Sequence, residues 1–377
     1  MSSSVPKSRR IAVLAHLHHP IKTPYPGGME SHTAHLVQGL AARGHEVTLF
    51  AKEGSELETG LGSLTINPVL DERFRVRGYP DQDRQDLQHS LLDQAMQSAI
   101  DQIELGDFDF VINNSLSPVP LKALPHIPTL HLFHTPPLPR MVEALQGRIT
   151  ANPVHVFATV SDSNAKAWDT HLKGLRVIAN GIDLTRWQID QQLPVDSTVA
   201  AWTGRITPEK GLHLAIEAAR LVGMKVRFAG PVSNSEYFRV MIKPRLGDDV
   251  EYLGHLAQED LRELIGSAQV FVSSPLWEEP FGLTTLEAMA TGTPVATFAA
   301  GAMPELIGST GGSLADSYTA EALGEAIIRA QSLNRSCVRE RAMVFSHQGM
   351  LSSYEAVMQE IIGRSAIVTS HAAGLAK

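Results

Sequence analysis

Short apolar runs alternate with amphipathic stretches along this chain, and the alternation occurs twice. Ile11 to Leu17 reads as a buried strand. Gly27-Gly28 then opens a helix with Met29, Thr33, Leu36, Val37, Leu40 and Ala41 on one face, ending at Gly44. Strands are predicted at Glu46 to Ala51, Phe110 to Asn113, Thr129 to Phe133, Val154 to Val160 and Arg176 to Ala179. Leu87 to Ile103 has helical spacing, Asp71 to Asp86 is charged and irregular, and Ser161 or Ser163 can cap a helix. The pattern restarts with strands at Val199 to Thr203, Lys225 to Ala229, Val250 to Leu253, Val270 to Ser274 and Pro294 to Phe298. Helices are predicted at Glu209 to Leu221, Glu236 to Ile242, Gln258 to Ile265, Leu283 to Ala290, Tyr318 to Ala330 and Met350 to Ile362. Such alternation dictates a parallel sheet with both faces covered. Two blocks in one chain imply an α/β protein of two doubly wound domains. Their boundary is expected within Gly181 to Val195, and ligands are expected at the carboxyl ends of the strands, in the cleft between the domains.

The totals exclude several functions. At 377 residues each half is long enough for its own core. A net charge of −8 argues against a nucleic-acid partner. The single cysteine, Cys337, excludes an internal disulfide and suits a reducing cytoplasm. It lies in a polar helical stretch with no motif around it. Met1 to Arg10 lacks the apolar core of a signal peptide, and no apolar run is long enough to span a membrane.

Chemistry concentrates in the second half. Glu279 and Glu287 are separated by seven residues, with Pro280-Phe281-Gly282-Leu283 between them. The first falls in a glycine-containing turn and the second on the following helix. That arrangement puts carboxylates, free amides and a helix N-terminus around one cavity, where hydroxyls and phosphate can be held together. Arg205 and Lys210 share the loop Gly204 to Gly211 after a strand, at the positive end of the predicted helix. Two fixed cations there suit a diphosphate that gains charge as it leaves. In isolation the loop fits a plain turn with solvated cations equally well. Gly28 allows close backbone approach, and His134 ends a strand before the rigid Thr135-Pro136-Pro137 loop. Gly230, Gly254 and Leu256 end two neighbouring strands, with backbone groups available to a nucleobase. His16, His18, His19, His32 and His35 match no zinc spacing, so no metal is expected. His16 or His18 is expected to line the cleft. No G-x-G-x-x-G follows a strand, which disfavours a dehydrogenase.

Together these segments resemble glycosyltransferase family 4 on a GT-B fold, two Rossmann-like domains facing a cleft. The matching pieces are Gly27-Gly28-Met29-Glu30, Ala179 to Asp183, Gly204-Arg205 through Glu209-Lys210-Gly211, and Phe228 to Pro231. Glu279 to Glu287, Gly292 to Val295 and Pro304-Glu305 complete the set. The resemblance covers nearly the whole chain, in order. Its N-terminal half is the less diagnostic one.

The resemblance implies retaining transfer of a hexose-type sugar from a nucleoside diphosphate donor to a hydroxyl, without an obligatory metal. It places UDP ahead of GDP as the carrier, with no permanently bound cofactor. Arg205 and Lys210 should bind the diphosphate. Glu279 and the amides of Phe281, Gly282 and Leu283 should hold the sugar, and Glu287 the ribose. Gly28 should close on phosphate and acceptor, and His134 should face the transferred sugar. The expected acceptor is a sugar, a polysaccharide precursor or a lipid-linked glycan, with cytoplasmic location or peripheral contact at the inner face of a membrane. Residues 1–182 are expected to form the acceptor-side domain, 183–346 the donor domain, and 347–377 a helix crossing back. Two departures stand out: Ala302 where many members have glycine, and His134-Thr135 where some have histidine–aspartate. Competing readings are a GT-B nucleotide-sugar epimerase or hydrolase, and a non-catalytic binding protein of the same fold. Turnover of donor without acceptor would mark the first. Intact Arg205, Lys210, Glu279 and Glu287 argue against the second.

Overall fold

Ile11 to Ala15 are all wholly buried, as a strand covered on both faces must be. In the computed structural model this run is β1 (Arg10–Ala15). The structure describes residues 7–375 apart from 59, 61, 76–81, 124–125, 147–151 and 191–192. The remaining strands of the first half are β2 (Glu46–Lys52), β3 (Ser63–Leu70), β4 (Phe110–Asn114), β5 (Thr129–Phe133), β6 (His155–Thr159) and β7 (Arg176–Val177). Those of the second are β8 (Asp196–Thr203), β9 (Lys225–Ala229), β10 (Val250–Tyr252), β11 (Ala268–Ser273), β12 (Val295–Phe298) and β13 (Gly312–Ala315). Among the described residues they form two sheets, ordered β3-β2-β1-β4-β5-β6-β7 and β10-β9-β8-β11-β12-β13. Neighbouring strands pair in parallel throughout. In each sheet the order reverses beside the first strand, and ligands of open α/β sheets bind at such reversals.

The apolar pattern does not predict β3, β13 or the helix Pro139–Leu145. β3 contains Pro68, and it sits at the edge of its sheet, where a missing N–H is tolerated. Part of the Asp71 to Asp86 stretch lies outside the described residues. The expected helix from Glu209 to Leu221 is broken. Pro208–Lys210 forms a single 3-10 turn, Gly211 takes φ 65°, and the α-helix runs only over Leu212–Leu221. Lys210 therefore precedes the helix. Glu236 to Ile242 is also irregular, a short α-turn followed by a π-helical segment. Ser161 caps the helix Asp162–Trp168 by accepting from Asn164 N.

After the second sheet the chain returns to the first. Ile182 N donates to Phe345 O at 2.8 Å, and His347 N donates to Ile182 O at 2.9 Å. The last helix, His347–Leu375, then lies on Gly28–Ala42. Gly39 lets the two helices close, because a Cβ there would crowd the Leu351 and His347 side chains at 2.6 and 2.9 Å. Arg43 and His45 both reach the Glu355 carboxylate, at 2.6 and 3.2 Å. His32 Nε2 is 3.2 Å from the Tyr354 hydroxyl, and His347 Nε2 donates to His35 O at 3.1 Å.

Burial first, then the neighbouring His347, pushes His35 down from 6.5 to about 4, and burial lowers His32 well below 6.5. Both are neutral in the folded chain at pH 7 and become protonated on unfolding at lower pH. Their contribution to stability is therefore present above about pH 6.5 and is lost as pH falls toward 4. Thermal melts between pH 8 and 4 should show a falling midpoint below pH 6.5. His35→Gln should make that fall shallower.

Candidate active site

The loop after β8 is locked to the loop after β11. A Cβ on Gly211 would come within 2.1 Å of Ser274 O, so only glycine lets the two loops touch. Ser274 Oγ donates to Lys210 O at 3.0 Å, and Leu276 N donates to Glu209 O at 2.8 Å. This brings Lys210 to Glu279: Nζ donates to Oε2 at 2.5 Å. Trp277 Nε1 donates to the same oxygen at 2.9 Å, and its ring centroid lies 5.3 Å from Lys210 Nζ. Arg205 is exposed and has no hydrogen bond or ion pair with the described residues. Gly211→Ala should cost about 1–3 kcal/mol through its positive φ and the collision with Ser274. Its thermal midpoint should fall, and nucleotide affinity should fall with it, as Lys210 is displaced.

Glu279 leads into the helix Leu283–Ala290, whose N-cap Gly282 has φ 92°. Phe281 is buried behind the turn. Gly301, φ 57°, abuts the Glu279 backbone: an added Cβ would lie 2.2 Å from Glu279 O. Ala302 N then donates to Glu279 O at 2.8 Å. Ala302 itself has φ −77°, a conformation open to any residue, so its departure from glycine leaves the loop intact. Leu283 and Thr284, in the helix's first turn, line a cavity of about 320 Å³ together with Glu279, Gly282 and Glu287. Their turn carries the helix's unpaired amide donors. One turn on, burial lifts the Glu287 carboxyl to about 8. No described residue gives it a hydrogen bond or a cation.

The opposite wall comes from the first half. Gly28 packs against Leu283, where a Cβ would sit 3.1 Å from Cδ1. His134, 8% exposed, follows β5 and lines the same cavity. Its loop is fixed by Thr135 O, which accepts from Asn164 Nδ2 at 3.1 Å and Trp168 Nε1 at 2.9 Å. Burial, then the nearby His16, lowers His134 to about 3, so its imidazole is neutral. Two further contacts cross the cleft. Glu305 accepts from Asp162 N and Ser163 N at 3.0 and 3.2 Å, and His255 Nε2 donates to Tyr25 O at 3.3 Å.

Gly28, His134, Arg205, Lys210, Gly230, Leu256, Glu279, Phe281, Gly282, Leu283 and Glu287 all line this one cavity. Gly254 does not; at φ 78° it turns the chain so that His255 and Leu256 do. His16 and His18 are not in its wall either, contrary to the sequence expectation, whereas His35 is. His16 is buried, and its Nε2 lies 3.2 Å from Glu30 Oε1. Burial raises the Glu30 carboxyl, but His16, with Glu30's own amide and His19, holds it below its ordinary value. Among the described residues no three histidine, cysteine or acidic side chains converge as metal ligands. Sequence reasoning missed Trp277, and it placed Asn180 and Glu305 within matching segments without giving either a role. Asn180 Oδ1 and Thr203 Oγ1 are buried in this wall without partners, unusual for native polar atoms away from a ligand site.

Comparison with known proteins gives the family and the fold. The Glycosyl transferases group 1 family profile matches residues 185–343, and the Glycosyltransferase Family 4 profile matches residues 26–186. The chain belongs to the family 4 glycosyltransferases. This glycosyltransferase is 26% identical to D-inositol 3-phosphate glycosyltransferase of Mycolicibacterium smegmatis, over 97% of this chain and 95% of that protein. It is 31% identical to a Mycobacterium tuberculosis glycogen synthase, over 47% of this chain and 46% of that one. Sucrose-phosphate synthase from Thermosynechococcus elongatus superposes with a TM-score of 0.74 at 19% identity, over 94% of this chain and 100% of that one. Anabaena HepE, solved with UDP and glucose, superposes with a TM-score of 0.68 at 18% identity, over 93% and 99%. The fold of this glycosyltransferase is GT-B. Among the described residues no helix is long and apolar enough to cross a membrane.

Proposed function

We propose that this glycosyltransferase moves a hexose, with retention, from a nucleoside diphosphate sugar to a hydroxyl acceptor, and that it needs no metal. One observation carries the reading. Arg205 and Lys210 open onto the same cavity as Glu279, the Leu283 helix N-terminus and Glu287. Diphosphate on the two cations puts the sugar by Glu279 and the ribose by Glu287. The cations supply the charge that a metal would otherwise carry at the leaving phosphate. His134, neutral, accepts a sugar hydroxyl rather than moving a proton.

Retention through front-face attack has its own support. The carboxylates lining the cavity among the described residues are Glu279 and Glu287, both from the second half. Glu279 is already held by Lys210 and Trp277. The facing wall of Gly28, His134 and Thr135 offers no carboxylate nucleophile. The leaving phosphate is then the base for the acceptor hydroxyl. On this reading residues 1–182 carry the acceptor, 183–346 the donor, and 347–377 tie the two. UDP stands ahead of GDP because HepE of the same fold was solved with UDP and with UDP-glucose. The acceptor is a sugar, a polysaccharide precursor or a lipid-linked glycan, and the protein works in the cytoplasm or at the inner face of a membrane.

Calorimetry with UDP, GDP, ADP and TDP tests the donor site. Selective binding of UDP, lost in the Arg205→Ala/Lys210→Ala variant, is expected. Selective GDP binding would correct the carrier. No binding of any nucleotide by folded protein would overturn the donor site.

A further inference from the structure

His134 is a neutral imidazole in a buried place, so which nitrogen carries its proton decides what it offers the cavity. Three buried contacts fix that choice. Thr33 Oγ1 lies 2.8 Å from Met29 O; a carbonyl only accepts, so the hydroxyl donates to it. The lone pairs left on Thr33 Oγ1 then receive Asn114 Nδ2, at 2.7 Å. With its amide nitrogen committed, Asn114 turns Oδ1 toward His134 Nε2. An amide oxygen cannot donate, so the ring must present Nε2–H and leave Nδ1 as an acceptor. Asn114 and Thr33 are wholly buried, so water does not compete for these bonds. The order of donors along the chain is one-way.

We infer that Asn114, held in polarity by Thr33, is the positioning residue that keeps His134 in its Nε2–H tautomer, so that Nδ1 accepts a hydroxyl of the bound substrate. Asn114 ends β4, the strand beside β1 and β5, and Thr33 lies one turn into the helix that Gly28 opens. The relay thus starts at Met29 O, adjacent to the glycine facing the donor helix, and ends at the imidazole. It does for this chain what a carboxylate after the histidine would do: it orients the ring. Being neutral, it does so without drawing a second proton onto His134. Edge contact with the His32 ring, 4.7 Å between centroids, limits the ring from its other side.

The inference rests on His134 facing the substrate for its purpose, but its test does not. Long-range nitrogen–proton NMR on histidine-labelled protein reports the tautomer of the free enzyme, with His134→Gln identifying the signal. Wild type should show His134 protonated at Nε2 alone. Asn114→Ala should show a mixture of tautomers, with kcat down about ten- to a hundredfold and donor KM little changed, the size seen when the partner that orients a metal-ligating imidazole is lost. Thr33→Val keeps the shape and frees the Asn114 amide to turn over; it should also mix the tautomers, and it serves if Asn114→Ala does not fold. A wild-type ring protonated at Nδ1, or a tautomer unmoved in folded Asn114→Ala or Thr33→Val, would overturn the relay. Mixed tautomers with undiminished kcat would uphold the relay and sink the placement of His134 at the substrate.

Discussion

Arg205→Ala should lower kcat for sugar transfer by about two to three orders of magnitude, equivalent to about 3–4 kcal/mol of transition-state stabilisation. The donor KM should move far less. Charge builds on the leaving phosphate as the glycosidic bond breaks, so a fixed cation gains more with the transition state than with the bound donor. Arg205 is exposed and unpaired among the described residues, so no protein carboxylate competes for it. Lys210 differs. It already donates to Glu279 at 2.5 Å, and diphosphate must share or displace that bond. Lys210→Ala should therefore lose a similar factor in kcat and also raise donor KM, because Glu279 loses the cation that orients it toward the sugar. The two sites are coupled, so Lys210→Ala/Glu279→Ala should cost less than the sum of the single losses. Initial-rate kinetics on wild type, the three single variants and the double variant, with the donor chosen by calorimetry, provide the measurement. Single variants within threefold of wild-type kcat would remove both cations from the chemistry.

How far the sequence carries the reading depends on how local each contact is. Glu279, Gly282 and Glu287 lie within one turn and one helix, and Arg205 and Lys210 within one loop, so spacing gathers each group, while the family resemblance joins the two groups into one expected site. Even there the break at Gly211 was invisible: the helix pattern runs through it, and only the neighbouring Ser274 carbonyl, from another loop, forces the left-handed turn. The long-range polar contacts, within the first half and between the halves, are not periodic at all. Asn114 meets Thr33 across 81 positions, and Glu305 meets Ser163 across 142. Thr33 falls on the inner face of its helix pattern and Glu305 in a matching segment, but no pattern names the partner of either until the strands are ordered. The histidines show the converse error. Their position at the end of β1 invited a place in the cleft for His16 or His18, but neither lines the cavity, and His16 turns to Glu30 instead.

Glu287 should lower the stability of the free enzyme, and the pH dependence of unfolding should expose that. Burial raises its carboxyl to about 8, with no cation to offset it. The unfolded chain returns it to its ordinary value of 4.5. A raised folded value means the folded protein holds a proton that the unfolded chain releases between those two limits. Stability is therefore fullest below about pH 4.5 and is lost as pH rises through 8. At 1.36 kcal/mol per unit, the loss reaches on the order of 3 kcal/mol by pH 7, less whatever solvent at the cavity mouth screens. Glu287→Gln, which has no charge to bury, should be more stable than wild type at pH 8 and should close that gap toward pH 5. Denaturant unfolding across this range measures it directly. The same variant should bind nucleotide more weakly, since an amide is a poorer acceptor than a carboxylate for two ribose hydroxyls. Those hydroxyls favour the ionised form, so wild type near pH 7 should release a proton as nucleotide binds. Calorimetry in buffers of different ionisation enthalpy would read that proton, and Glu287→Gln should abolish it. A stability gap that does not change with pH would mean that Glu287 is already ionised in the free enzyme, and proton release on binding would vanish with it.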